Sequence, residues 1–228
     1  MSQLDCSTTR VALIIPSSNT IMENDLHAAL PKPQFTVHTD RMYLVETTRE
    51  AEISMIEDHA PKAAADLGTL NPDILVFGCT SAGSLFGLEY DRRICSELGE
   101  TAGCRALGVI SSVASALEDM APKRLAVITP YNEDLTQSVA KAVETEGREI
   151  VSAHGMGITV NVELADPTPA EIVDFAKSKL AGEDFDGLFV SCTNFRAYEA
   201  LSDLRDELGV PVVTSNSAVI KALIQISK

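Results

Sequence analysis

Short apolar runs rich in branched residues recur along this chain, at 11–15, 35–39, 74–77, 106–110, 125–128, 151–154, 188–190 and 210–213. Most are apolar at successive positions instead of alternating, the pattern of strands covered on both faces. Stretches with helical spacing fill the gaps, at 20–30, 51–69, 84–98, 112–121, 133–147, 168–181, 195–208 and 216–227. This alternation predicts an α/β fold of parallel sheets flanked by helices, with right-handed crossovers.

Within that alternation the chain repeats itself. Ile14-Ile15-Pro16-Ser17-Ser18-Asn19 is echoed by Val127-Ile128-Thr129-Pro130-Tyr131-Asn132, and Val76-Phe77-Gly78-Cys79-Thr80-Ser81 by Phe189-Val190-Ser191-Cys192-Thr193-Asn194. Asn19 and Asn132 stand 113 residues apart, as do Cys79 and Cys192; Asp73 with Asp186, Arg92 with Arg205 and Thr48 with Asn161 share the offset. Agreement at one offset predicts two similar lobes related by a pseudo-twofold axis, with the active site in the cleft between them. The expected division is 1–104 for the first α/β lobe and 105–215 for the second, with the terminal helix, 216–228, returning to the first.

The 228 residues are 45% hydrophobic, enough for one large domain or two lobes sharing a core. No apolar stretch approaches the roughly 20 residues of a membrane helix, and the first ten residues lack the apolar block of a secretion signal. The expectation is a cytoplasmic protein that engages no membrane. A net charge of −15 repels phosphate backbones, which argues against a nucleic-acid partner. A small anionic ligand stays open, because local helix N-termini can outweigh global charge. The five cysteines are an odd number without close pairs, so no disulfide framework is indicated. Cys-x-x-Cys and His-x-x-x-His spacings and glycine-rich nucleotide fingerprints are absent, so neither a metal nor a cofactor is expected.

Each repeated motif has one physical form: an apolar strand ends, a small polar loop follows, and a helix begins. Ligands of open α/β sheets bind beyond the carboxyl ends of strands. Cys79 and Cys192 sit at two such ends, and Asn19, Tyr131 and Asn132 at two more. A helix starting after each cysteine is expected to lower its thiol pKa through backbone N–H groups and the helix dipole. The bland reading makes both cysteines small core residues; duplication of the Cys-Thr motif at two strand ends weighs against it. Ser17, Ser18, Asn19, Thr80, Ser81, Thr193 and Asn194 supply neutral donors for a carboxylate without a metal, or serve as helix caps. Arg41, Arg92 and Arg196 are the cationic candidates, with surface ion pairs the ordinary use for the last two. Cys6, Cys95, Cys104 and the four histidines show no catalytic pattern.

Pro16-Ser17-Ser18-Asn19-Thr20 with Met22-Glu23, the two Cys-Thr loops and Thr129-Pro130-Tyr131 together resemble the aspartate/glutamate racemase superfamily, in particular its maleate cis-trans isomerase and arylmalonate decarboxylase branch. The resemblance spans nearly the whole chain. The residues after each cysteine are also similar to racemases and ectoine-utilisation proteins of that superfamily. The resemblance implies that Cys79 is the nucleophile or base and Cys192 the opposing thiol, and that Asn19, Tyr131 and Asn161 hold substrate carboxylates. It implies a cofactor-independent isomerase acting on a small dicarboxylate, with maleate to fumarate isomerisation through a covalent cysteine adduct foremost. Two-base racemisation of an aspartate-like amino acid is the alternative; decarboxylation and non-catalytic ligand binding stand behind these. A homodimer is the expected assembly.

Overall fold

The computed structural model describes residues 8–226; Cys6 lies outside the described residues. Eight strands form two parallel sheets of four. The first holds β1 (Thr9–Pro16), β2 (Phe35–Met42), β3 (Ile74–Phe77) and β4 (Arg105–Gly108) in the order β2-β1-β3-β4. The second holds β5 (Arg124–Thr129), β6 (Glu149–Gly155), β7 (Gly187–Val190) and β8 (Val212–Thr214) in the order β6-β5-β7-β8. The two orders are the same topology written twice, as the repeat predicts. The strands that read as continuously apolar lie at the sheet centres: Val11 to Ile15, Ile74 to Phe77 and Leu188 to Val190 are wholly buried.

Ten α-helices complete the described chain: α1 (Met22–Ala29), α2 (Arg49–Ser54), α3 (Ala60–Gly68), α4 (Thr80–Ser84), α5 (Leu88–Ala102), α6 (Val109–Met120), α7 (Glu133–Val143), α8 (Pro169–Lys179), α9 (Leu201–Leu208) and α10 (Ser215–Ile226). The helix predicted over 51–69 is interrupted by a π-helical turn at Met55–His59.

Three local expectations are corrected. The strand predicted over 106–110 stops at Gly108, and Val109 and Ile110 open α6 instead. Both are fully buried, so the apolar signal runs on across a change of element. That strand was expected to open the second half, beyond a break at residues 103–104. It pairs with β3, matching Ile74 to Arg105 and Phe77 to Gly108, and is the edge of the first sheet. Finally, the helix predicted over 195–208 is helical only from Leu201; residues 193–200 form turns whose apolar side chains, Phe195, Ala197 and Ala200, are nonetheless buried. The terminal helix α10 packs against α6 and also meets α1.

Candidate active site

Hydrogen bonds gather the carboxyl ends of β1, β3, β5 and β7 around one point. Asn19, after β1, donates from Nδ2 to Thr193 Oγ1, after β7, at 3.1 Å. Thr193 Oγ1 donates in turn to the Gly78 carbonyl, at the end of β3, at 3.0 Å. Thr20 N–H donates to Asn194 Oδ1 at 2.8 Å. Thr80 Oγ1 donates to Ser215 Oγ at 3.0 Å, and Ser215 Oγ accepts from the Cys192 N–H at 3.0 Å, so the first residue of α10 joins the two cysteine loops. The Tyr131 hydroxyl, beyond β5, hydrogen-bonds the Cys192 sulfur.

The two sulfurs belong to this gathering and interact electrostatically with one another. Both residues are free cysteines, and their exposures are 3% and 4%. Their backbones differ. Cys79 is extended, with φ −135°, ahead of the short α4. Cys192 has φ 99°, a left-handed value that costs a side-chain-bearing residue about 1–3 kcal/mol. It turns the chain into the loop that carries Thr193 and Asn194 and leaves no helix directly behind it.

The expected lowering of the thiol pKa values is overturned. Burial pushes Cys192 up to about 12, partly opposed by donation from the Tyr131 hydroxyl and the Asn194 N–H, the latter at 3.2 Å. Burial pushes Cys79 up as well, with a further upward push from Glu52. A five-residue α4 behind Cys79 and no helix directly behind Cys192 are too little dipole to offset loss of water around a thiolate.

The other predicted site residues except Ser17 are here, and most of their polar atoms are already engaged. Asn19 Oδ1 accepts from the N–H groups of Ile21 and Met22. Asn161 donates from Nδ2 to Ser18 Oγ at 2.7 Å and accepts from Thr47 Oγ1 at 3.3 Å. Asn194 Nδ2 donates to the Asn161 carbonyl at 2.6 Å. Each amide nitrogen keeps a second hydrogen for a ligand. Ser17 faces elsewhere: its hydroxyl exchanges bonds with the backbone of Leu44, anchoring the segment that crosses to the second half through the Glu46–Val160 bridge. Arg41 binds the Ser17 and Asn19 carbonyls and pairs with Glu23. Arg92 and Arg196 pair with Glu89 and Glu199.

Two contributors escape the sequence reading. Ser215 could have been found by applying the strand-end rule to β8. Glu52 had no such signal. It sits on α2 among exposed or half-buried acids, yet is itself 0% exposed, and its Oε1 accepts a short hydrogen bond from the Ser81 hydroxyl. That hydroxyl lies 3.7 Å from Cys79 Sγ. Burial pushes Glu52 up to about 8, against the lowering effects of Ser81 and Arg49. Among the described residues, no group of three or more His, Cys, Asp or Glu is placed to hold a metal ion, and no helix is long and apolar enough to cross a membrane.

Two buried thiols at repeat-equivalent strand ends, ringed by amide and hydroxyl groups and one buried acid, suit covalent or proton-transfer chemistry on a small anion. Known proteins with related sequences share the architecture. A curated maleate isomerase from Pseudomonas putida is 29% identical over 231 residues, covering 95% of this chain and 90% of its own. The crystal structure of a maleate isomerase from Pseudomonas putida S16 superposes with a TM-score of 0.88 at 23% identity, covering 96% of this chain and 92% of that one. A Nocardia farcinica maleate cis-trans isomerase variant, solved with a covalently bound succinylcysteine intermediate, gives 0.86 at 22% identity, with 96% and 92% covered. Residues 11–227 match the family described as arylmalonate decarboxylase, and the chain belongs to that family.

Proposed function

We propose that this protein is a cofactor-independent isomerase that converts maleate to fumarate, with Cys79 as nucleophile and Cys192 as proton donor. The observation that carries the reading is the pair of buried thiols at repeat-equivalent strand ends. One is held by Tyr131 and a backbone N–H, the other is linked through Ser81 to a buried acid. The curated maleate isomerase relatives and the succinylcysteine trapped in the Nocardia protein support it.

The Cys79 thiolate adds to one alkene carbon, forming a C–S bond as the π bond opens. Cys192 gives its proton to the neighbouring carbon, leaving a succinyl thioether and a Cys192 thiolate. The former double bond is now single and rotates. Cys192 takes a proton back, the C–S bond breaks, and the trans alkene leaves. One high rotation barrier becomes several lower ones. Charge building on the carboxylate beside the reacting carbon is met by neutral donors: the second hydrogens of the Asn19, Asn161 and Asn194 amides and backbone N–H groups of the Thr80-Ser81 and Thr193-Asn194 loops, with Tyr131 beside them. Tyr131 donation also stabilises Cys192 as the thiolate that forms in mid-reaction.

Quasi-equivalent thiols facing one point also favour a second reading, two-base racemisation, in which one sulfur removes an α-proton and the other delivers one to the opposite face. Incubation with maleate, followed by chromatography for fumarate, tests the first; loss of optical rotation from enantiopure aspartate tests the second. Fumarate is expected from the wild type and none from Cys79→Ala. Unchanged turnover in Cys79→Ala would remove the shared mechanism. The proposal includes a cytoplasmic homodimer, the assembly to be read by light scattering.

A further inference from the structure

A mechanism that begins with a thiolate needs somewhere to send the thiol's proton, and the sequence offers no histidine for it. We propose that Glu52 is the proton acceptor for Cys79, working through the Ser81 hydroxyl. The inference rests on the reading of Cys79 as nucleophile. Two contacts connect three atoms: Cys79 Sγ lies 3.7 Å from Ser81 Oγ, and Glu52 Oε1 is at short hydrogen-bond distance from that hydroxyl. As the sulfur attacks, the S–H bond breaks and its proton passes to Ser81 Oγ. Ser81 releases its own proton to Glu52 Oε1, and the electron pair left on sulfur forms the bond to carbon. Elimination runs the same chain backwards. Glu52 is a positioning residue, since it touches neither the substrate carbon nor the sulfur.

Its surroundings suit that task. A carboxylate with several donors is too weak a base for a thiol. Glu52 Oε1 has Ser81, whereas Oε2 is buried with no hydrogen-bond partner among the described residues. Arg49, on the same helix, lowers its pKa, but the guanidinium is turned to the Leu85 carbonyl, Ser138 and Asp134. Across the site Glu52 faces Cys79, Cys192 and Tyr131. Held near 8, Glu52 is a far better base than an ordinary carboxylate; burial holds Cys79 higher still, so the proton moves uphill and its transfer is completed only as the sulfur bonds to carbon. The repeat sharpens the assignment. The residue 113 positions after Glu52 is Ala165, and the one after Ser81 is Asn194, so the second thiol has no such chain. Cys192 has Tyr131 instead, a donor suited to a thiol that releases a proton.

Glu52 accepts a proton only when ionised, so the rate is expected to rise with pH through about 8. The test is the rate of Cys79 alkylation by iodoacetamide between pH 6 and 10, followed by peptide mass spectrometry, beside maleate kinetics. Glu52→Gln and Ser81→Ala should each slow Cys79 alkylation at least about tenfold at pH 8. They should lower kcat about 10²-fold with little change in KM, and abolish the inflection near 8, while Glu52→Asp restores part of it. Alkylation of Cys95 serves as the control and stays unchanged. A carboxylate that merely repels the thiolate predicts the opposite sign, so Cys79 alkylation as fast or faster in Glu52→Gln overturns the proposal. The alkylation measurement uses no substrate, so it decides the role of Glu52 even if maleate is not turned over. Ser81→Ala carries the comparison should Glu52→Gln fail to fold.

Discussion

Single residues set the reactive geometry. Gly78 precedes the first thiol because the chain there runs against β1. A methyl group at Gly78 would fall 2.7 Å from Ile15 Cγ2, 2.8 Å from Met22 Sδ and 2.9 Å from the Ile14 carbonyl oxygen. The carbonyl cannot yield without shifting the strand. Gly78→Ala is therefore expected to cost about 1–3 kcal/mol in denaturant unfolding. Turnover should fall at least about tenfold, because small displacements at a reacting atom are expensive. The second thiol carries its constraint in its own backbone. Cys79 and Cys192 are equally buried, but only Cys192 has a positive φ. Cys192→Gly removes that strain, so it should lose about 1 kcal/mol less stability than Cys79→Gly by the same measurement. Equal losses would mean the turn at Cys192 stores nothing.

At the scale of elements, loops do double duty as caps and as cross-links. Asn19 Oδ1 accepts two N–H groups at the start of α1 while Nδ2 reaches Thr193. Asn19→Ala removes a cap worth about 1 kcal/mol and a buried hydrogen bond worth about as much. Unfolding should show a loss of about 2 kcal/mol, and a loss under 0.5 would contradict the double role. The strands and the paired cysteines were legible because continuous apolar runs and a repeated offset are both written in residue order. Element ends were less so: Val109 and Ile110 are apolar in either a strand or a first helical turn, and Phe195, Ala197 and Ala200 are buried by turns at helix-like spacing. Glu52 was hidden because its neighbours Glu50, Glu57 and Asp58 are the acids of an ordinary wet helix. Only its packing under α4 separates it from them.

The whole molecule is acidic, and among its described residues three acids are buried at a cost. Burial raises Asp25 from 3.8 to about 6, Asp91 from 3.8 to about 6 and Glu52 from 4.5 to about 8. In the window between each pair of values the folded state holds more protons than the unfolded one, so stability falls as pH rises. It is fullest below about 4, declines through 6 and declines further through 8. The net charge of −15 pushes the same way as carboxylates ionise. The thermal midpoint is therefore expected to rise when pH is lowered from 8 to 5. A midpoint that is flat or falls across that range would show these carboxyls to be solvated or paired.

The bonds that cross from Asn19 and Thr20 to Thr193 and Asn194 also bear on inheritance. A duplicated ancestor would have carried the same partner atoms in both copies, and either copy could have been exchanged. Here each copy completes the polar groups of the other, and the copies have diverged, with Glu52 in one and Ala165 at its counterpart. A recombination joint between halves from parents that differ at Asn19, Asn194 or Thr193 leaves donors and acceptors unmatched across the seam. The two halves of this gene are bound to travel together.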